Sequence, residues 1–265
     1  MNQDLKKIAQ SVRNDILSMS YNAQSAHMGG ALSVVEILVA LYFDVMNVNI
    51  KNSLDPARDR LVLSKAHDAK ALYSVLARRG FFDLKALDGY EKDGGKLPGH
   101  STRHCVPGVE TSAGALGHGL SMAAGMAWAL KFKNKNEKCK VYAVLSDGEC
   151  DEGSVWEAAL FAGHHSLSNL TVIVDYNKLQ GFGKIYDVLN LEPIADKWKA
   201  FGFEVSEVDG HDFKKLIPML KKQYKKPHCI IPHTIKGLGG PSQHIGKISS
   251  QYKPPSIEEY NELVT

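Results

Sequence analysis

Residues 140–177 read KVYAVLSDGECDEGSVWEAALFAGHHSLSNLTVIVDYN, and this stretch decides the fold. Residues 140–146 and 170–175 are short apolar runs with β-branched side chains, which are typical of buried β-strands. Residues 154–165, between them, have the length and composition of a helix. A strand, a helix and a second strand in this order predict two parallel strands joined by a crossover helix.

The same alternation continues on both sides of this stretch. Further strands are predicted at residues 60–64, 203–208 and 228–233, and helices at residues 3–20, 69–79, 84–92, 120–132 and 212–224. Ser33 followed by Glu36 predicts a capping box at the start of another helix. The pattern as a whole predicts an α/β fold, with a mostly parallel sheet and helices on both faces. Because no repeat or linker interrupts the chain, we expect a single domain over residues 1–265.

Composition excludes several classes of function. Hydrophobic residues make up 44% of the chain and charged residues 23%, which is an ordinary balance for a folded protein. The formal net charge is only +3, without a basic stripe, so nucleic acid is not an expected partner. No apolar stretch reaches the length of a membrane span. The four cysteines form no C-x-x-C pair and fit a reducing compartment, so we expect a cytoplasmic protein.

The loop after residues 140–146 places an acidic side chain at the end of a strand. Asp147 follows this strand, and Asn177 follows the next one. Because ligand sites of parallel sheets form at the carboxyl ends of strands, we expect the two side chains to meet. Carboxylate and amide oxygens suit Mg²⁺ or Ca²⁺, with further positions open to phosphate oxygens. A polar turn that caps a helix is the alternative. An EF-hand is excluded, because Glu152 stands at the position that requires glycine.

An Asp-Gly pair after one strand, followed about thirty residues later by an asparagine after the next, resembles the thiamine-diphosphate motif. The sequence GECDEGSVWEAALFAGHHSLSNLTVIVDYNKLQ resembles that of transketolases in particular. The resemblance implies a thiamine-diphosphate-binding fold in which Asp147, Asn177 and the carbonyl of Leu179 hold Mg²⁺ or Ca²⁺. Ser146 stands where the family has glycine. We expect its backbone N–H, together with Gly148, to contact the diphosphate.

Two further segments resemble parts of the transketolase cofactor site. The segment GVETSAGALGHG is similar to a glycine-rich loop in which the backbone at Gly114 approaches the cofactor and Leu116 packs near its pyrimidine ring. Glu152 corresponds to an acidic residue at the interface between subunits, which acts on the cofactor through the partner's glutamate. Without the family, Glu152 is only a residue that suits the first turn of a helix.

Three histidines lie in segments that resemble transketolase motifs. The segments SAHMGG, LSKAH and LPGH are similar to the family's SGHPGG, LSKGH and PGH, and they contain His27, His67 and His100. The resemblance implies that these side chains line the substrate channel and act in catalysis, and that His67 also contacts the cofactor. Imidazole suits this role, because it can move protons near neutral pH.

The chain departs from the family pattern at several positions. Substitutions in the histidine segments indicate a reshaped substrate channel; they are Ala26, Met28, Ala66 and Asp68. Near the end of the chain, Gln251 occupies the position of a family histidine. His244, in the same loop, is a candidate substitute as a cofactor-binding residue. Relaxed phosphate recognition is the alternative.

The resemblance implies that this chain is half of an enzyme. A full transketolase is more than twice as long, and the other half carries the glutamate that activates the cofactor. We therefore expect an α2β2 assembly with a separate C-terminal, pyrimidine-binding subunit. Such an enzyme transfers a two-carbon ketol unit from a ketose or its phosphate to an aldose or its phosphate. The alternatives are a component of another thiamine-diphosphate enzyme that acts on 2-oxo acids, and a non-catalytic cofactor-binding subunit.

Overall fold

The computed structural model of the chain describes residues 4–136 and 138–264. Its centre is one sheet in which every pairing is parallel. The strands are β1 (Arg60–Leu63), β2 (Val141–Ser146), β3 (Leu170–Asp175), β4 (Glu204–Asp209) and β5 (His228–His233). Each strand lies within one residue of its predicted bounds, and the α/β prediction is confirmed.

The order of the strands across the sheet is β1-β2-β3-β5-β4. The neighbours β2 and β3 pair in register from Val141 with Leu170 to Ser146 with Asp175. Their carboxyl ends therefore stop at the same level, which brings the two loops that follow them side by side. The loops after β1 and β5 leave the same edge of the sheet, because all the strands run in one direction.

Helices cover both faces of the sheet. They are α1 (Leu5–Ala23), α2 (Met28–Ser33), α3 (Val35–Ala40), α4 (Ala69–Arg78), α5 (His118–Trp128), α6 (Gly153–His164), α7 (Ile185–Val188), α8 (Ile194–Ala200), α9 (Phe213–Lys221), α10 (Ser249–Tyr252) and α11 (Ile257–Val264). Helices α1 to α4 and α9 contribute to one buried cluster, while α5, α6 and α8 contribute to the other. Strand β2 shows why both faces are apolar: Tyr142 and Val144 join the first cluster, and Ala143 joins the second.

Two local predictions differ from the structure. Residues 84–92, predicted as a helix, contain only the 3₁₀ segment Leu84–Gly89. The capping box at Ser33 and Glu36 is wrong, since Ser33 lies inside α2 and its hydroxyl donates to Asp175 at 2.6 Å. The hydroxyl thus donates to a charged acceptor, and it does not accept a backbone N–H of a helix start as a capping box requires. In the described part of the chain, no helix is both long and apolar enough to span a membrane.

Two glycines in helix interiors make a matched test of this packing. A Cβ at Gly163 of α6 would lie 1.8 Å from the backbone oxygen of Phe201, whereas nothing lies within 4 Å of one at Gly125 of α5. We expect Gly163→Ala to lower the free energy of unfolding of the isolated chain by about 2 kcal/mol or more. Gly125→Ala should raise it by roughly 0.5–1 kcal/mol. Urea denaturation measures both, and equal effects would contradict the packing described for α6.

Candidate functional site

A cavity of about 300 Å³ opens at the carboxyl edge of the sheet. Loops after β1, β2, β3 and β5 contribute to its lining, together with the turn before α2 and the loop before α5. Most of the residues predicted as cofactor or substrate ligands meet here: His27, His67, His100, Gly114, Leu116, Ser146, Asp147, Gly148, Asn177 and Leu179. Glu152 and His244 are not among the lining residues.

Asp147 and Asn177 lie next to each other because β2 and β3 are neighbours in register. The carboxylate of Asp147 is buried and accepts the backbone N–H groups of Gly148 at 2.8 Å and Lys178 at 2.5 Å. Burial, together with the negative charge of Asp175, raises the pKa of Asp147 to about 6. A cation beside Asp147 would offset this cost and stabilise the carboxylate.

The third predicted cation ligand is the carbonyl oxygen of Leu179. It accepts a hydrogen bond from the ammonium of Lys236 at 3.1 Å. Lys236 is a buried cation that lines the cavity, and sequence reasoning missed it. Its place in the segment IKGLGG after β5 was a usable signal, because this loop leaves the same sheet edge. The site thus attracts negative charge from a ligand as well as a metal ion.

Asp175, the last residue of β3, ties the surrounding elements together. Its Oδ2 atom accepts from Lys65 at 2.6 Å and from Ser33 at 2.6 Å, and Oδ1 accepts from the hydroxyl of Thr234. Asn177 donates to the same carboxylate at 3.2 Å. These bonds hold the pKa of Asp175 below its usual range, against the opposing effect of burial. Asp175 therefore fixes the loops after β1, β3 and β5 relative to α2.

Glu149 plays a similar part for the loop after β2. Its buried carboxylate accepts from the Ser64 hydroxyl, from the backbone N–H of Gly117 at 2.8 Å and from that of Ser146 at 3.3 Å. The Ser146 N–H, for which a phosphate contact is expected, donates to Glu149 in this structure, while Ser146 itself lines the cavity. Sequence reasoning also missed Glu149, whose buried position depends on loops that are distant along the chain.

The three histidines form one cluster at the cavity wall. The ring of His27 lies 5.3 Å from that of His67 and 5.7 Å from that of His100, measured between centroids. Burial lowers the pKa of His67 to about 4 and also lowers that of His27, although the nearby carboxylate of Asp68 opposes both shifts. His67 is thus a neutral imidazole at pH 7. The cluster can exchange hydrogen bonds and protons with a polar ligand.

Two predicted site residues lie elsewhere. Glu152 is exposed at the start of α6, next to Gly117. His244 contacts Ser249 at 2.7 Å and Glu259 at 3.6 Å, because its loop turns it towards α11. The structure therefore does not bring His244 together with the other predicted cofactor ligands.

Gln251 lines the cavity, whereas His244 does not. It lines the wall, it is 9% exposed, and its side-chain oxygen has no hydrogen-bond partner. Its backbone oxygen accepts the N–H of His27 at 2.6 Å. The side-chain oxygen can thus accept a hydrogen bond from a ligand beside the histidine cluster.

The fold and the cavity define an α/β protein that binds a polar, charged ligand at the carboxyl edge of its sheet. Residues 5–254 match the family model described as transketolase, thiamine diphosphate binding domain. The chain is 40% identical over 250 residues to a 6-deoxy-6-sulfo-D-fructose transketolase subunit of a Clostridium species, with 93% of this chain and 90% of the relative covered. It is 43% identical over 239 residues to an apulose-4-phosphate transketolase subunit of Actinobacillus succinogenes, with coverages of 89% and 86%.

Solved structures agree with these relatives. The transketolase of Campylobacter jejuni superimposes with a TM-score of 0.90 at 32% identity, covering 100% of this chain and 43% of that one. The chain therefore spans less than half the length of this solved transketolase. The chain belongs to the transketolase family, in which it represents the N-terminal, thiamine-diphosphate-binding part of enzymes that are divided into subunits.

The buried neutral state of His67 predicts a dependence of stability on pH. Its pKa of about 4 lies below the ordinary value of 6.5, so the unfolded chain binds more protons between these values. The stabilising contribution is present above pH 6.5 and is lost as the pH falls towards 4. His67→Asn should therefore remove about 2 kcal/mol of the stability lost between pH 7 and pH 5. Urea denaturation of the isolated chain at both pH values measures it.

His164→Asn is the matched control, because His164 is an exposed residue at the end of α6. It should lose the same stability as the wild-type chain between the two pH values. If the His67→Asn chain also loses as much as the wild type, the histidine is not held neutral by burial.

Proposed function

We propose that this chain is the cofactor-binding subunit of a two-component transketolase. With its complementary subunit, it transfers a two-carbon ketol unit from a ketose or ketose phosphate to an aldose or aldose phosphate. The observation that carries the proposal is the convergence of Asp147, Asn177 and Leu179 with the three histidines in one cavity. The chain acts as a single domain in this assembly. Its four free cysteines favour a reducing compartment such as the cytoplasm.

Thiamine diphosphate and Mg²⁺ fit the residues at the end of β2 and β3. We assign Asp147, Asn177 and the Leu179 carbonyl to the metal, since they combine one carboxylate with two neutral oxygens. Within the described residues, no group of three His, Cys, Asp or Glu side chains could hold a metal instead. Gly148 and the buried cation of Lys236 favour the diphosphate at this position. When bound, thiamine diphosphate supplies the carbanion chemistry of the reaction.

The chain's own residues orient the sugar and move protons. His27, His67 and His100 face the cavity together, so they can bond successive hydroxyl groups of an extended sugar. Burial keeps His67 neutral, so its unprotonated ring nitrogen can accept a hydrogen bond from a hydroxyl of the sugar. Gly114 leaves room for the cofactor in the loop before α5, and Leu116 offers an apolar surface to its ring. Residues of these loops also exclude water from one side of the cavity.

A partner subunit is further supported by an uncovered apolar surface on α5 and α6, the two helices whose first turns lie near the cavity. We call this surface the α5–α6 face; it comprises Trp128, Phe132, Leu160 and Phe161, which are 39 to 61% exposed. Exposed apolar patches of this kind mark protein interfaces. Glu152 lies at the end of α6 nearest the cavity, in a position to meet the partner. We propose that the pyrimidine-binding subunit covers this face and that an α2β2 assembly results.

The names of two relatives give 6-deoxy-6-sulfo-D-fructose and apulose 4-phosphate as the sugars of their transketolases. The neutral Gln251 at the cavity wall supports a donor whose hydroxyl groups are recognised by an uncharged acceptor. We therefore propose that this enzyme serves a specialised sugar pathway.

Asp147→Asn tests the metal and cofactor assignment. It removes the charge that attracts the divalent cation but keeps the size of the side chain. We expect at least tenfold weaker binding of thiamine diphosphate in the presence of MgCl₂, measured by isothermal titration calorimetry with the assembled enzyme. Asp187→Asn, an exposed residue of α7, is the control and should bind normally.

Unchanged binding by Asp147→Asn would refute the cation site.

The function itself is tested by mixing the two complementary subunits and assaying ketol transfer between ketose and aldose phosphates. Neither of the two subunits should be active by itself. Decarboxylation of 2-oxo acids without ketol transfer would identify a different thiamine-diphosphate enzyme.

Leu160→Asp tests the α5–α6 face. Leu160 is 61% exposed, so the substitution should leave the thermal unfolding temperature nearly unchanged while it abolishes association with the complementary subunit. Size-exclusion chromatography with light scattering measures the association. Leu54→Asp is the control, because Leu54 is 95% exposed in the loop before β1 and belongs to neither α5 nor α6. Normal assembly of the Leu160→Asp chain would exclude this face as the interface.

A further inference from the structure

Lys70 is a fully buried lysine behind the cavity. It is the second residue of α4, its exposed fraction is 0%, and it does not line the cavity. Its ammonium donates to the hydroxyl of Ser20 at 2.9 Å, the hydroxyl of Ser25 at 2.8 Å and the backbone oxygen of Ala26 at 2.7 Å. All three acceptors are neutral. In the described ranges, no carboxylate forms a salt bridge with Lys70.

This arrangement is unfavourable for stability. A buried ammonium without a paired carboxylate loses hydration that neutral oxygens only partly replace. The cost is visible in the pKa of Lys70, which burial lowers to about 8 although the charges of Glu91 and Asp68 oppose the shift. The first turn of a helix is also the wrong end for a cation, because the helix dipole is positive there. An apolar side chain of similar length would suit this position better.

The hydrogen-bond partners of Lys70 indicate a role other than stabilisation of the fold. Ser25 and Ala26 form the turn that precedes His27, and His27 has a φ of 68°. A non-glycine residue rarely adopts this left-handed conformation unless its surroundings impose it. On the other side of the turn, the N–H of His27 donates to Gln251. The turn is thus held between a buried ammonium and the backbone of α10.

We propose that Lys70 is a positioning residue that holds His27 in its left-handed conformation and aims the imidazole at the sugar. The proposal deepens the proposed function and rests on it. Lys70 acts only through the turn, since it has no exposed surface at the cavity. The role explains why a costly buried cation stands beneath this histidine.

Lys70→Met tests the proposal in the assembled enzyme. With β-hydroxypyruvate as the ketol donor, we expect kcat/KM to fall at least tenfold, while the affinity for thiamine diphosphate stays within twofold of the wild type. The thermal unfolding temperature should stay close to that of the wild type, because removal of the unpaired buried charge offsets the loss of its three hydrogen bonds. Lys214→Met, an exposed residue of α9, is the control and should match the wild type.

Two serine variants distinguish the contact of Lys70 with the turn from its contact with α1. Ser25→Ala removes a contact to the turn, whereas Ser20→Ala removes one to α1. We expect Ser25→Ala to lower kcat/KM at least threefold more than Ser20→Ala does, and little further when combined with Lys70→Met. Equal effects of the two serine variants would refute the positioning role.

A readout without catalysis keeps this test independent of the proposed function. In NMR spectra of the isolated chain, the imidazole Cε1–H signal of His27 is assigned from its absence in His27→Asn. We expect one sharp signal in the wild type and in Lys214→Met, and a broadened or split signal in Lys70→Met. An unchanged signal, or an activity loss matched by a lower unfolding temperature, would overturn the proposal. Lack of ketol transfer by the wild-type assembly would instead refute only the function.

Discussion

The carboxylate of Asp175 is the interaction on which the site depends. Asp175 is the last residue of β3 and lies in the interior, where its carboxylate accepts hydrogen bonds from Lys65, Ser33 and Thr234. These partners follow β1, lie in α2 and follow β5, so a single anion joins segments that are far apart in sequence. A buried carboxylate must be fully paired to be tolerated, and this requirement leaves the loops little freedom. The cavity keeps its shape because the loops around it are fixed in this way.

Buried charges of both signs lie at the wall of the cavity. Lys65 contacts Asp175 and also lies 2.7 Å from Asp68, whose oxygens are outside hydrogen-bonding geometry. Lys236 faces the carbonyl of Leu179 nearby. Such a low-dielectric setting strengthens every interaction with a charged ligand. It suits a site that takes up a diphosphate and a cation together, since each neutralises groups that burial disfavours.

The two sides of the sheet differ in how far their apolar residues are covered. The first buried cluster is covered by helices throughout, whereas the α5–α6 face leaves large apolar side chains in contact with water. The same helices begin near the cavity: α5 follows the loop of Gly114 and Leu116, and α6 follows that of Asp147. A protein that covered the full length of α5 and α6 would therefore also reach the first turns of both helices, beside the cavity.

The sequence by itself determined the elements and the ligand chemistry of the strand ends. Strands β1, β2, β3 and β5 were predictable because they are rich in apolar residues, and Asp147 and Asn177 were predictable because each follows a strand within two residues. The order β1-β2-β3-β5-β4, and with it the roles of Lys236, Glu149 and Lys70, depended on packing between distant segments. The position of His244 depended on packing for the same reason, since only the tertiary structure decides whether a loop residue faces the cavity or α11. Local patterns encode which groups are present, whereas burial and long-range pairing decide which of them meet.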